Sequence, residues 1–246
     1  MRALLVTSRV TFVPGNYDAL VLGLAGCDQI GGLLILDNRS VAVVRQALGL
    51  LAIGAPRLGW TLLRNALMPG DARRRAAYAA HGKPCWALPT INSPDAVAHV
   101  RRNGFDLVLN ARTRFIYKRE ILAAPRLGCL NIHHGLLPEQ RGTMCDLWAL
   151  AEGQPAGFSL HVMAPAIDAG EILARVVVAA GHETDYLAHV ARSAAREFEA
   201  ARRVLAEIAA AGEIHGTPNV APPGLAYRRN PTPAQIREMR RQGLRL

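Results

Sequence analysis

The chain has 246 residues, half of them hydrophobic, with 29 Lys plus Arg against 19 Asp plus Glu and a formal net charge of +10. That length and apolar content are enough for one large α/β core and exclude a chain that is disordered along its length. The N-terminal "MRALLVTSRV" has no signal-peptide core or cleavage site. Cys27, Cys85, Cys129 and Cys145 stand far apart with no Cys-x-x-Cys pair, which argues for reduced thiols in a cytoplasmic protein and against disulfides or a zinc site. The positive excess clusters at residues 71–77 ("DARRRAA") and 227–246. Two readings of each cluster stand level: a plain solvated arginine surface, or a surface for anionic partners such as phosphorylated metabolites, RNA or acidic lipid headgroups. No aromatic residues interleave to suggest base stacking.

In chain order, "ALLVT" (3–7) reads as a buried strand, followed by a helix near 16–26. "PGNYDAL" (14–20) opens that helix, where backbone N–H groups form either an anion site or a plain cap. A second strand spans 30–38. The apolar stretch 41–68 is broken at "GAPRLG" and carries arginines at 45, 57 and 64, so it falls short of a membrane span and reads as two helices. Packing on the sheet or in a homo-oligomer interface is the favoured role for these helices, with an amphipathic membrane-surface hairpin as the alternative. A short strand at 84–88, a helix at 94–104 and strands at 105–110 and 128–134 follow. Residues 157–163 and 170–178 form a more exposed pair, and helices at 184–211 and 233–242 close the chain, the last introduced by Thr232-Pro233. Strands alternating with helices predict a parallel α/β sheet. The boundary falls near 215, giving one main α/β domain over 1–215 and a basic extension with a short helix over 216–246.

The chemistry concentrates in "NIHHGLLPEQRG" (131–142) and "IDAG" (167–170). Residues two apart on a strand share a face, so Asn131 and His133 project together, and Pro138 and Gly142 lie just beyond the strand end. An amide donor beside a titratable imidazole lacks a third group. His134 points to the other face and is not paired with His133 as a metal ligand.

Together with "LWALAEGQPAGFSLHVM" (147–163) and "IDAGEIL" (167–173), these motifs resemble the formyltransferase family. That family includes glycinamide ribonucleotide formyltransferase, the catalytic domain of methionyl-tRNA formyltransferase, and sugar N-formyltransferases. The likeness is firm over about residues 84–178. It implies a Rossmann-like, mostly parallel sheet flanked by helices and a catalytic trio of Asn131, His133 and Asp168. Asp168 is the missing third group. Asn131 and His133 would donate to the oxygen of a formyl group under attack, and Asp168 would orient the imidazole and help remove the amine proton. His134 and Gly135 stand where proline and serine are common in the family, and Cys145 where proline is common. His161 matches a family histidine expected to support the site.

The resemblance further implies N10-formyltetrahydrofolate as formyl donor. Arg114, Phe115, Ile116, Tyr117 and Ile167 are the residues expected around it, with Arg114 toward the glutamate tail. Gly15 and Asn16 sit where a relative holds its acceptor's phosphate. The chain gives no place for a second, β-barrel domain, so a small-molecule amine is expected in preference to tRNA. A regulatory domain before the catalytic one is likewise missing, which counts against a formyltetrahydrofolate hydrolase. That hydrolase and a non-catalytic, membrane-recruited scaffold are the two rivals.

Overall fold

Each of the seven apolar runs forms a strand of one sheet in the computed structural model, which describes residues 1–246. The strands are β1 (Ala3–Ser8), β2 (Ile30–Leu36), β3 (Cys85–Leu88), β4 (Leu107–Ala111), β5 (Cys129–His133), β6 (Ala156–Val162) and β7 (Ile172–Ala179). Their order is β3-β2-β1-β4-β5-β6-β7. The first five run parallel, and β6 and β7 each pair antiparallel with the strand before. β1 and β4 are buried at every position, as the helix-covered interior of a parallel sheet requires. β7 alternates buried and exposed positions because its outer face meets water. The chain leaves β1 toward β2 and leaves β4 toward β5, so the sheet's switch point lies between β1 and β4. Open α/β sheets form a crevice there, beyond the carboxyl ends of the strands.

Nine α-helices surround the sheet: α1 (Asp18–Gly23), α2 (Val41–Ala52), α3 (Pro56–Leu67), α4 (Asp71–Ala79), α5 (Pro94–Arg102), α6 (Arg119–Leu122), α7 (Cys145–Ala151), α8 (Tyr186–Ala211) and α9 (Pro233–Arg241). Their starts follow capping chemistry. Ser93, Asp185 and Thr232 each accept a backbone N–H of the first turn, and Thr232 with Gln235 closes a capping box. The larger core lies on the α1–α8 face of the sheet and the smaller one under α5 and α6.

Several expectations change. The single helix expected over 16–26 is broken, because Gly15, Asn16 and Tyr17 all adopt left-handed φ angles (63°, 54° and 69°) before α1 begins. "DARRRAA" folds as α4, and its Arg74 is fully buried with Nε 2.9 Å from Asp18 Oδ1, so this arginine is a structural cation and not part of a surface patch. Residues 216–246, expected as a basic extension with a short helix, pack against the rest of the chain. Ile236, Met239, Leu244 and Leu246 join the main core, and Gly142 and Arg228 form a β-bridge. The α2–α3 hairpin forms with its break at 53–55, and it buries only one stripe of each helix. No helix is long and apolar enough to cross a membrane.

Candidate functional site

The crevice at the switch point is a cavity of about 700 Å³. Its walls come from the segments after β1, β4 and β5, the inner stripe of α2–α3, the 163–168 loop and residues 227–231. Asn131, His133 and Asp168 all line it. His133 Nδ1 lies 3.5 Å from Asp168 Oδ1, and both side chains are more than nine-tenths buried. The structure therefore brings the two chain-distant motifs to one point.

The surrounding hydrogen bonds fix each polar atom's role. His161 Nδ1 donates to its neighbour's carbonyl, Val162 O, at 2.9 Å, so its Nε2 carries the lone pair and accepts from Asn131 Nδ2 at 3.1 Å. Asn131 Oδ1 accepts from Asn110 Nδ2 at 2.8 Å, and Asn110 Oδ1 accepts from the hydroxyls of Thr113 and Tyr117 at 2.6 and 3.2 Å. The chain of bonds runs in one direction and leaves Asn131 a single uncommitted amide N–H. Burial first, then the neighbouring His133, lowers the His161 pKa to about 4, so this ring is neutral at pH 7 and serves as an acceptor. His133 Nε2 meets the Gln140 carbonyl at 2.7 Å and must carry a proton there, which turns Nδ1 toward Asp168. The Leu-Leu-Pro loop holds that carbonyl. Leu136 N donates to Gln140 Oε1, and Ser159, opposite His133 in the sheet, accepts from Leu137 N.

Arg141 and Gly142 explain the Arg-Gly motif. Gly142 N donates to Asp168 Oδ2 at 3.1 Å, and a side chain at Gly142 would run into the Arg228 backbone at 2.1 Å. Arg141 donates to Asn219, whose amide in turn holds the carbonyls of Asp168 and Gly170 at 2.8 and 2.9 Å. Asp168 itself sits at φ 51°, a left-handed conformation that costs a non-glycine residue of order 1–3 kcal/mol and persists here through these restraints. Gly170 permits the loop's return, since a Cβ would lie 2.0 Å from Val162 O.

Behind the trio lies a second buried polar cluster that the sequence did not reveal. Glu197 of α8 is fully buried, accepts from Ser193 and from the Tyr17 hydroxyl, and stands 3.2 Å from His134 Nδ1 and 3.7 Å from Arg112 Nη2. Burial alone would raise the Glu197 carboxyl. His134, Arg112 and the Tyr17 hydroxyl outweigh burial and hold it down at about 2. Burial and then the Arg112 charge lower the His134 pKa, so that ring stays neutral at pH 7. Burial also lowers His189, which sequence alone leaves as an ordinary histidine. Linkage gives a signed expectation. His134, His161 and His189 titrate lower when folded, so the unfolded chain binds more protons below about pH 6.5, their unfolded pKa. Stability is full above that pH and falls as pH drops, by up to about 1.4 kcal/mol per pH unit for each proton. Glu197 adds a further loss below about pH 4.5. Melting temperatures measured from pH 8 to 4 check this, with a flat profile as the contrary result.

The other expected site residues divide. Arg114, Phe115, Ile116, Tyr117 and Ile167 line the cavity, although Tyr117 is also buried in the smaller core and Arg114 Nη1 reaches Gln46 at 3.1 Å. Gly15 and Asn16 are a correction: neither lines the cavity. The Asn16 side chain is spent on Thr11 N, Arg9 O and Pro69 O, and its carbonyl accepts from Arg74. The backbone N–H groups of Asn16 and Asp18 donate to the carbonyls of Val13 and Gly15, so the left-handed turn offers no free row of N–H groups to a phosphate. The sequence motifs do not point to Asn110, Arg112, Asn219 or Glu197. Only Asn110 had a readable signal, a polar residue ending the apolar strand that pairs in register with Asn131.

Together, the strand order and the switch-point cavity lined by an amide, an imidazole and a carboxylate define a Rossmann-like α/β protein with a candidate site at the usual place in that fold. The family model described as "Formyl transferase" matches residues 75–205, more than half of the chain, and the chain belongs to that family. A methionyl-tRNA formyltransferase from Thiobacillus denitrificans is 35% identical over 116 residues, which cover 47% of this chain and 37% of that protein. The match thus spans well under half of that relative's length. Among solved structures, a sugar N-formyltransferase from a Shewanella species aligns over 93% of this chain and 76% of its own, with a TM-score of 0.57 and 18% identity. A formyltetrahydrofolate deformylase from Pseudomonas syringae aligns over 90% and 66%, with a TM-score of 0.58 and 20% identity. At these identities the two structures speak for the fold alone.

Proposed function

We propose that this protein transfers a formyl group from N10-formyltetrahydrofolate to the primary amine of a small molecule. The observation that carries the reading is the convergence of Asn131, His133 and Asp168 on one cavity, with one Asn131 N–H left free for a developing oxyanion. The folate supplies an activated formyl carbon. The cavity volume is in the range of small-molecule sites, and the 113–117 and 163–167 segments on one side of the trio offer backbone groups and apolar walls. Ile116 and Ile167, both more than half exposed, give an apolar rim there that fits a flat heteroaromatic ring.

In this reading Asn131 donates to the formyl oxygen as charge builds, a contribution worth about 10²–10³ in rate for one donor. The amine nitrogen gains positive charge on attack and loses its proton to the His133–Asp168 pair at Nδ1. The same pair returns that proton to the departing nitrogen when the old carbon–nitrogen bond breaks. His161 and Asn110 act through Asn131 as positioning residues. The acceptor would enter between the segment after β1 and α2–α3, where Val10, Phe12, Leu50 and Leu58 line the cavity together with Arg112 and His134. The catalytic unit then includes residues 227–231 and does not end near 215. A tRNA-linked amine is the second reading, favoured by the tRNA-acting relative.

Binding and turnover are tested separately. A non-hydrolysable 5-deaza analogue of the donor at about 100 Kd should raise stability by about 3 kcal/mol, read as a melting shift. No shift at any soluble concentration contradicts the folate assignment. Incubation of protein and donor with a panel of amino-sugars, nucleotide-linked amines and methionyl-tRNA, read by mass gain of one formyl group, sorts the acceptor classes. Formate released at equal rate without any amine would support the hydrolase rival.

A further inference from the structure

We infer that the α2–α3 hairpin is a docking surface for an anionic lipid bilayer. Each helix carries two opposed stripes. The inward ones, Val43, Ala47 and Leu50 on α2 and Leu58 and Leu62 on α3, pack against the protein or line the cavity. The outward ones face solvent at helical spacing: Val41, Val44, Arg45 and Leu48 on α2, and Arg57, Trp60, Arg64 and Leu67 on α3. Val41 is 76% exposed, Leu48 53%, Trp60 62% and Leu67 71%, followed by Met68 at 72%. A soluble surface helix normally presents a polar outer face, and a helix apolar on both faces is one that something covers.

Charge selects what covers it. Between Asp37 and Asp71 the chain contains four arginines and not one Asp or Glu. Arg57 is engaged by Asp185 at 2.8 Å, while Arg45 and Arg64 are exposed, and the exposed Arg240 of α9 places its guanidinium against Gly54 at the hairpin turn. A second copy meeting this face across a two-fold axis would bring these arginines against their own images with no carboxylate in the segment to neutralise them. An acidic headgroup layer neutralises them, and the apolar stripe and Trp60 enter its boundary with the acyl chains, as interfacial amphipathic helices do. The docked hairpin would lie along the membrane plane, since its two helices have 12 residues each and are too short to span it. Its inward stripe would meanwhile wall the cavity, so the mouth of the site would sit beside the lipid surface.

The proposal is independent of the formyl-transfer reading, because vesicle binding needs neither donor nor acceptor. Flotation of the full chain with mixed phosphatidylglycerol–phosphatidylcholine vesicles should recover at least about tenfold more protein than with phosphatidylcholine alone, and raised salt should diminish it. The Leu48→Glu/Trp60→Glu double variant should lose at least about tenfold of that binding, with its melting temperature and its shift by the 5-deaza analogue unchanged. The Arg45→Gln/Arg64→Gln variant leaves the apolar stripe intact and should lose roughly fivefold per arginine on the anionic vesicles alone. Equal recovery on both vesicle types, no recovery on either, or full binding by both variants overturns the proposal. So does a concentration-dependent dimer that Leu48→Glu/Trp60→Glu dissociates, which would assign the face to a second copy.

Discussion

Asp168→Asn is expected to lower formyl transfer by about 10³-fold while moving the melting temperature by no more than a few degrees. The substitution preserves shape and can keep the bond from Gly142 N through the amide oxygen. It reverses the polarity of the other contact. His133 Nε2 is already protonated toward Gln140 O, so the new amide N–H would donate to Nδ1 and lock the ring neutral with its working nitrogen occupied. Neither a proton acceptor nor a donor then faces the reacting atoms. Binding of the 5-deaza analogue should stay within a few-fold, which separates lost chemistry from lost folding. Turnover within about threefold of the parent would remove Asp168 from the mechanism.

The largest stability effect is expected from Glu197→Ala. It removes the acceptor of the Tyr17 and Ser193 hydroxyls and the nearest acid to the Arg112 guanidinium, whose Nε and Nη2 already lack hydrogen-bond partners. Breaking a buried ion pair on one side costs about 3–5 kcal/mol, which in a chain of this size lowers the melting temperature by roughly 10 °C. Arg112→Met in the same background should recover part of that loss, because it removes the stranded charge. Thermal unfolding of the two variants is the check. A fall of under about 2 °C for Glu197→Ala would mean that the cluster stabilises nothing.

The strands of this fold are legible because a parallel sheet covered on both faces needs continuous apolar runs, and "ALLVT" and "FDLVLN" have no other use at that length. The trio was legible from the strand's two-residue period and from family motifs that carry their own restraints, such as Gly142 and Gly170 at contacts no side chain could occupy. The buried charges were not legible. Nothing local distinguishes Arg74, sealed against Asp18, from its neighbours Arg73 and Arg75 on the same helix. The same holds for Arg112 and Glu197, which meet only in three dimensions, 3.7 Å apart. The "PGN" turn misled for a related reason. Its sequence suits an anion-binding helix start, but three successive left-handed residues and the buried Arg74 convert it into a closed internal knot of hydrogen bonds. The strand period turns His134 off the His133 face, yet the partner waiting there, Glu197, lies far along the chain on α8.

The proposed transfer requires a formyl carbon to be activated between Asn131 and the His133–Asp168 pair. Following a ¹³C-labelled formyl group from the donor tests this most directly, in the parent protein and in Asn131→Ala with an amine acceptor present. The label is expected to appear as an N-formyl product, with its rate lowered by about 10²–10³ in the variant. Label that stays on the folate in the parent, or moves equally fast without Asn131, would contradict the account.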